Sequence, residues 1–139
     1  MAKYASPSVT IEIDNAGGSL VDISQHVLEM NGIEIETLLE EGQTFGDSWF
    51  ESFAVGIRKL ADISLSGFYD DTATTGPDAL LNAVFTAPTT STRTFKLTYG
   101  GGKSTAVEVV IFKYSRTPVR NGMTRYTVML RPTGAVTEV

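Results

Sequence analysis

The chain has no cysteine. That absence excludes disulfide scaffolds, cysteine-ligated zinc, iron–sulfur ligation by cysteine and thiol catalysis together. There is a single histidine, His26, which cannot by itself supply a histidine-rich metal site. No run of about 18 apolar residues occurs, so no membrane-spanning helix and no membrane insertion are expected. The opening residues, Met1-Ala2-Lys3-Tyr4-Ala5-Ser6-Pro7, lack the apolar core of a signal peptide, which predicts a soluble protein made in a cytoplasm. Bases are scarce in the first half. Residues 1–78 hold 14 acids against Lys3, Arg58 and Lys59, a net −11. Residues 79–139 reverse this, with 8 bases against Glu108 and Glu138, a net +6. The total of −5 makes a poor nucleic-acid binder, because phosphate affinity comes mainly from Lys and Arg. Either the two halves neutralise each other internally, or an acidic and a basic surface meet between copies in a head-to-tail contact.

What is present is the material of one ordinary domain: 139 residues, 42% hydrophobic and 19% charged. Such a chain is neither disordered nor fibrous, and it can bury a core without staples. Period-two alternation dominates. Val9, Ile11 and Ile13 alternate with polar neighbours, and Asn15-Ala16-Gly17-Gly18-Ser19 breaks the pattern. Leu20 to Met30 reads as an irregular link or short helical turn, followed by a turn at Asn31-Gly32 and a strand over 33–37. Trp49, Phe53, Val55 and Ile57 share one strand face, with a turn expected near Arg58-Lys59. Ala61, Ile63, Leu65, Gly67 and Tyr69 take one face of the clearest strand. Three more strands are expected at about 93–99, 105–115 and 123–132, with Gly100-Gly101-Gly102 and Asn121-Gly122 as turns. Val107, Val109, Ile111, Tyr126, Val128 and Leu130 are their inward residues.

One helix interrupts. Pro77 suits the first helical position, Asp78 suits the positive end of the dipole, and Pro88 stops it after about ten residues. Leu80, Leu81, Val84 and Phe85 form its apolar stripe. Seven or so strands and one short helix predict a mainly β fold, a sandwich or barrel with an appended helix. Residues 38–52 are too long for a tight turn and read as a long projecting loop or hairpin. It carries Leu38, Leu39, Phe45, Trp49 and Phe50, which need either a partner or their own core to cover them.

No catalytic pattern survives inspection. Gly102-Lys103-Ser104 resembles the end of a phosphate loop, but Leu97 stands where the first glycine belongs and a strand pattern follows. Asp70-Asp71 lacks the downstream ligands of a cation loop and reads as a turn or helix-preceding cap. No cofactor, metal site or catalytic residue is expected.

Three stretches carry a resemblance. They are Gly46-Asp47-Ser48-Trp49-Phe50-Glu51 with the strand from Gly56 to Asp71, the segment Gly76-Pro77-Asp78-Ala79-Leu80-Leu81-Asn82-Ala83, and the end from Thr124 to Gly134. Together, over roughly 8–134, they resemble the tail tube proteins of long-tailed, non-contractile phages, whose fold also forms the inner tubes of contractile tails and type VI secretion systems. The resemblance implies two packed antiparallel sheets with a flanking helix, in a single domain over 1–139. It implies an N-terminal arm of about 1–7, the long loop at 38–52 and a C-terminal tail of about 133–139. It further implies a structural, non-enzymatic virion protein, assembled in the bacterial host cytoplasm. The subunit would form hexameric rings that stack into a hollow tube around a tape-measure protein and pass DNA during ejection. Its partners would be itself, the tape-measure protein, and tail terminator and tail-tip proteins. Leu38, Leu39, Phe45, Trp49 and Phe50 are then expected at contacts between subunits or rings. Glu34, Glu36 and Asp62 are candidates for an acidic lumen lining that avoids gripping DNA, with the outer face as the other place for them. A terminator or completion ring on the same fold, and a ligand-binding β-sandwich with Trp49 and Phe50 as a platform, are the competing readings.

Overall fold

The computed structural model describes residues 8–46, 48–86 and 91–139. The expected N-terminal arm and the stop at Pro88 lie outside them. Among the described residues, alternation of apolar and polar residues produces ten strands. They are β1 (Thr10–Asp14), β2 (Leu20–Asp22), β3 (Glu29–Met30), β4 (Ile35–Gly42), β5 (Glu51–Leu60), β6 (Ile63–Phe68), β7 (Arg93–Gly100), β8 (Lys103–Thr117), β9 (Arg125–Pro132) and β10 (Thr137–Glu138). Eight form one antiparallel sheet in the order β2-β1-β7-β8-β9-β6-β3, with β10 also pairing to β8. β4 and β5 form a separate two-stranded sheet. The protein is thus mainly β, with two antiparallel sheets that do not close into a barrel.

One face of the large sheet builds the core. Ile11 and Ile13 stand opposite Leu97 and Phe95, Phe95 opposite Val107, Ile111 opposite Leu130, and Leu130 opposite Ile63. All are buried, as are Tyr126 and Val128, so the inward faces expected of β6, β8 and β9 are observed. Leu80, Leu81 and Ile23 join the same cluster from outside the sheet. Gly100, Gly101 and Gly102 all have positive φ, which explains a three-glycine turn between β7 and β8.

The helix is interrupted where its pattern predicts continuity. It splits into α1 (Pro77–Leu81) and α2 (Ala83–Thr86) at Asn82, a poor helix former whose ψ of 7° leaves the helical region. Phe85 therefore leaves the buried stripe and is 55% exposed. It meets Tyr114 edge-on at 5.5 Å and lies beneath the Arg116 guanidinium. Asp78 accepts hydrogen bonds from the Tyr114 hydroxyl at 2.9 Å and Arg116 Nε at 2.8 Å, which pins α1 to β8. Burial and the neighbouring Asp78 carboxylate push the Tyr114 phenol upward. The link between Leu20 and Met30 is β2, a 3-10 turn at Ser24–His26 and β3. The turn expected near Arg58-Lys59 does not occur there, because β5 continues through both to Leu60.

Candidate assembly interface

The segment read as a long loop is the outer part of a projecting β-hairpin. β4 reaches Gly42, β5 begins at Glu51, and residues 43–50 connect them. The pair is held by its own ladder, from Ile35 opposite Leu60 at the root to Gly42 opposite Glu51 near the tip. Between Thr37 and Leu39 the register shifts, so Arg58 and Ala54 are four apart on β5 while their partners are two apart on β4. Gly56 sits in this bulge at φ +85°. An interior glycine in a strand pattern is the sequence signal of such a bulge.

At the root, three contacts tie the hairpin to the large sheet. Asn31 Nδ2 donates to the Asp62 carbonyl at 2.8 Å, and Asn31 Oδ1 accepts from the Ser64 amide at 3.0 Å. The Ala61 amide donates to the Glu34 carbonyl at 3.1 Å. Arg131 then closes on Asp62 through Nε at 3.1 Å and a second nitrogen at 3.2 Å, while stacking 4.6 Å over Phe112. The hydrogen bond from Arg131 holds the Asp62 carboxyl below the usual carboxylate range. Sequence reasoning saw Asn31 only as a turn residue and did not see the Arg131–Asp62 pair, whose partners are 69 positions apart.

Beyond the root none of the described residues covers the hairpin. Leu38 and Leu39 are exposed, and Phe45, Trp49 and Phe50 at the tip are almost fully so. These five residues share one projection. Ile35, Phe53, Val55 and Ile57 are also exposed, and sequence reasoning did not count them in the site. Their strand alternation ordinarily marks a half-buried strand, but β4 and β5 have no sheet beneath them.

The three acids considered for a lumen all lie at the root. Glu36 stands opposite Lys59, Asp62 is paired to Arg131, and Glu34 is exposed. Glu36 and Asp62 border a cleft of about 1150 Å³ that also receives Arg58, Lys59 and Arg131. The root is consequently mixed in sign. Three unlike-charge contacts, Arg116–Asp78, Arg131–Asp62 and Lys96 opposite Glu12, join the acidic half of the chain to the basic half. Part of the charge division is therefore neutralised inside one molecule.

His26 approaches Asp70 at 3.7 Å. Asp70 closes a local turn by accepting from the Thr72 amide at 2.8 Å and from its hydroxyl, and these bonds hold its carboxyl below the ordinary range. Among the described residues no group of three or more His, Asp or Glu is placed to hold a metal ion. No helix among them is long and apolar enough to cross a membrane.

No protein-family model matches the chain, and no curated protein matches it in sequence. Solved structures do. A chain of the virion of a native gene transfer agent particle superposes with TM-score 0.75 at 15% identity, covering 99% of both chains. A chain from the sheath/tube terminator of an extracellular contractile injection system gives 0.71 at 9% identity, covering 100% of this chain and 98% of the other. The SPP1 tail tube gives 0.70 at 10% identity, covering 98% of this chain and 78% of the other. At these identities the likeness concerns the fold, and its coverage is nearly complete: this chain has the tail-tube fold, from its first described strand to its last.

Proposed function

We propose that this chain is a structural subunit of a tail tube in a long-tailed, non-contractile phage. Six copies form a ring, and rings stack into a hollow tube. The tube encloses the tape-measure protein and passes DNA during ejection, with terminator and tail-tip proteins at its ends. Its place is the virion tail, after assembly in the host cytoplasm. The observation that carries this reading is the hairpin. A monomer that projects Leu39, Phe45, Trp49 and Phe50 into water is incomplete. Covering each such side chain stabilises a contact by about 2 kcal/mol before the costs of association. A tube offers every subunit the same neighbour and so covers every hairpin in the same way. The non-contractile assignment rests on the sequence resemblance over 46–51, 56–71, 76–83 and 124–134, since the fold is shared with contractile systems.

Glu34, Glu36 and Asp62 are proposed to face the lumen. Around Glu36 and Asp62, Lys59 stands opposite Glu36 and Arg131 is paired to Asp62, so carboxylates oppose these bases where phosphates would pass. A terminator ring is the second reading, supported by the fold shared with a chain from a tube terminator assembly. The long hairpin favours the polymer, because a single ring needs one stacking surface fewer.

Electron microscopy of concentrated purified protein tests the assignment. Hollow rods of uniform width are expected. Single closed rings that never stack would replace the tube reading with the terminator, and monomers at every concentration would remove both.

A further inference from the structure

One dipeptide, Asn-Gly, occurs twice in the chain, at Asn31-Gly32 and at Asn121-Gly122. It is the context in which an asparagine is chemically least durable. The backbone nitrogen of the following residue can attack the side-chain carboxamide, and glycine, with no Cβ, leaves that approach open. The other asparagines, Asn15 and Asn82, are each followed by an alanine, whose Cβ hinders the attack. By sequence the two Asn-Gly sites are alike. The fold separates them.

Asn31 is held through both ends of its carboxamide. Nδ2 donates to the Asp62 carbonyl at 2.8 Å, and Oδ1 accepts from the Ser64 amide at 3.0 Å. Its own backbone amide donates to the Ser64 carbonyl at 3.4 Å. To bring Cγ onto the Gly32 nitrogen the side chain must rotate, and both carboxamide bonds must break first. Asn121 is the opposite case. It is exposed in the turn between β8 and β9, and its carboxamide makes no hydrogen bond among the described residues. Gly122 is exposed too, and its amide donates only a long 3.4 Å bond to the Val119 carbonyl. β8 ends at Thr117 and β9 begins at Arg125, so neither residue belongs to the ladder. The backbone of this turn can adjust without loss of strand pairing.

We propose that Asn121 is a site of spontaneous deamidation in the folded protein, and that the fold protects Asn31 from the same reaction. The Gly122 nitrogen attacks Asn121 Cγ. The Cγ–Nδ2 bond breaks, and the carboxamide nitrogen leaves as ammonia with the proton that the Gly122 amide gives up. The product is a cyclic succinimide, which water then opens. Addition of water at Cγ restores the ordinary backbone and leaves an aspartate. Addition at the main-chain carbonyl leaves an isoaspartate, whose backbone runs through Cβ and Cγ and lengthens the turn. Either product adds one negative charge to the net −5. The Tyr69 amide donates to the Thr124 carbonyl at 2.9 Å, so this charge arrives at the end of the sheet that holds Asp70 and Asp71 as well as Arg120 and Arg125. The site is independent of the tube reading.

The experiment ages the full wild-type chain in mildly alkaline buffer and maps the products by peptide mass spectrometry, with aspartate and isoaspartate peptides separated. Asn121 should be lost at least about tenfold faster than Asn31, because two hydrogen bonds hold only the second carboxamide. In guanidinium chloride the two rates should converge, since the dipeptide is then the same and the fold is gone. Gly122→Ala supplies the variant. Its Cβ would stand 3.3 Å from Val119 Cγ1, a contact that an exposed side chain relieves by a small shift, and unchanged circular dichroism verifies folding. Ion-exchange chromatography should resolve an acidic species in the aged wild type that Gly122→Ala does not accumulate. Equal rates at the two sites in the folded chain, faster loss at Asn31, a rate gap that persists in guanidinium chloride, or an acidic species undiminished in Gly122→Ala would overturn the assignment.

Discussion

The carbonyl oxygen of His26 occupies the space next to Gly67 so closely that a Cβ on Gly67 would stand 1.9 Å from it. The same carbonyl accepts a 2.7 Å hydrogen bond from the hydroxyl of Tyr126, which is opposite Gly67 on β9. A short 3-10 turn is thus laid directly on the sheet, and the missing side chain is what allows it. Gly67→Ala should destabilise the fold by about 3 kcal/mol, at the upper end of overpacking costs, because backbone must move. Chemical denaturation measures this. A loss below about 1 kcal/mol would show that the turn can lift off freely.

Tyr126 makes the same junction sensitive to alkali. Burial pushes its phenol up to about 12, while the unfolded chain ionises near 10. The folded state therefore holds this proton more tightly. Its contribution is complete below pH 10 and is lost as pH rises through about 12. Tyr126→Phe should cost about 1 to 2 kcal/mol at pH 7, since the His26 carbonyl loses its partner. It should also show a shallower loss of stability between pH 10 and 12 than the wild type. Equal slopes for the two proteins would refute the assignment.

Acid acts on the hairpin root through Asp62. Its carboxyl is held below the ordinary range by Arg131, so the contribution of the pair is complete above that range and lost as pH falls through the lowered value. Asp62→Asn should have a lower melting temperature than wild type at pH 7, and the gap should close as pH falls below the ordinary carboxylate range. The partners are partly exposed, so the gap should be small, a few degrees at most. A gap that stayed constant into acid would mean the pair contributes nothing.

The exposed hairpin should matter for assembly and little for folding. Leu39→Ser with Phe45→Ser should leave the melting temperature within a few degrees of wild type. Association should weaken by about 4 kcal/mol, close to a thousandfold. Rods of normal length at wild-type concentration would contradict the role given to these side chains.

Charge at the root should govern transit. Glu34→Lys with Glu36→Lys breaks the opposition of Glu36 to Lys59 and turns a balanced surface basic. In reconstituted tails it should slow DNA ejection more than it slows assembly. Unchanged ejection kinetics would move Glu34 and Glu36 to the outside of the tube.

Local pattern carried the strands well. Ile63, Leu65 and Gly67 alternate strictly with Ser64 and Ser66, and both faces lie where period two puts them. The same rule misled at β5, because Phe53, Val55 and Ile57 have the spacing of a half-buried strand but lack a second layer within the monomer. Periodicity reports that a face needs covering and is silent on who covers it. The five apolar residues 38, 39, 45, 49 and 50 were legible for a different reason: they crowd a stretch too long for a turn. The clamp of Arg131 on Asp62, the seat of His26 over Gly67 and the break at Asn82 were not legible. The first two depend on residues brought together from far along the chain, and the third on competition between weak helix propensity and packing on β8.

The placement of the hairpin at one end of the sheet has a consequence for any filament built from it. Whatever its length, a filament whose copies all point the same way has one terminus where the hairpins stand uncovered and another where they do not. These termini differ in shape, so no single stopper fits both. Growth at one end must follow different kinetics from growth at the other, and a free arm is the segment most open to proteolytic nicking. Limited digestion between residues 43 and 50 would therefore count termini: the cut fraction should fall as filaments lengthen, in proportion to the inverse of their length.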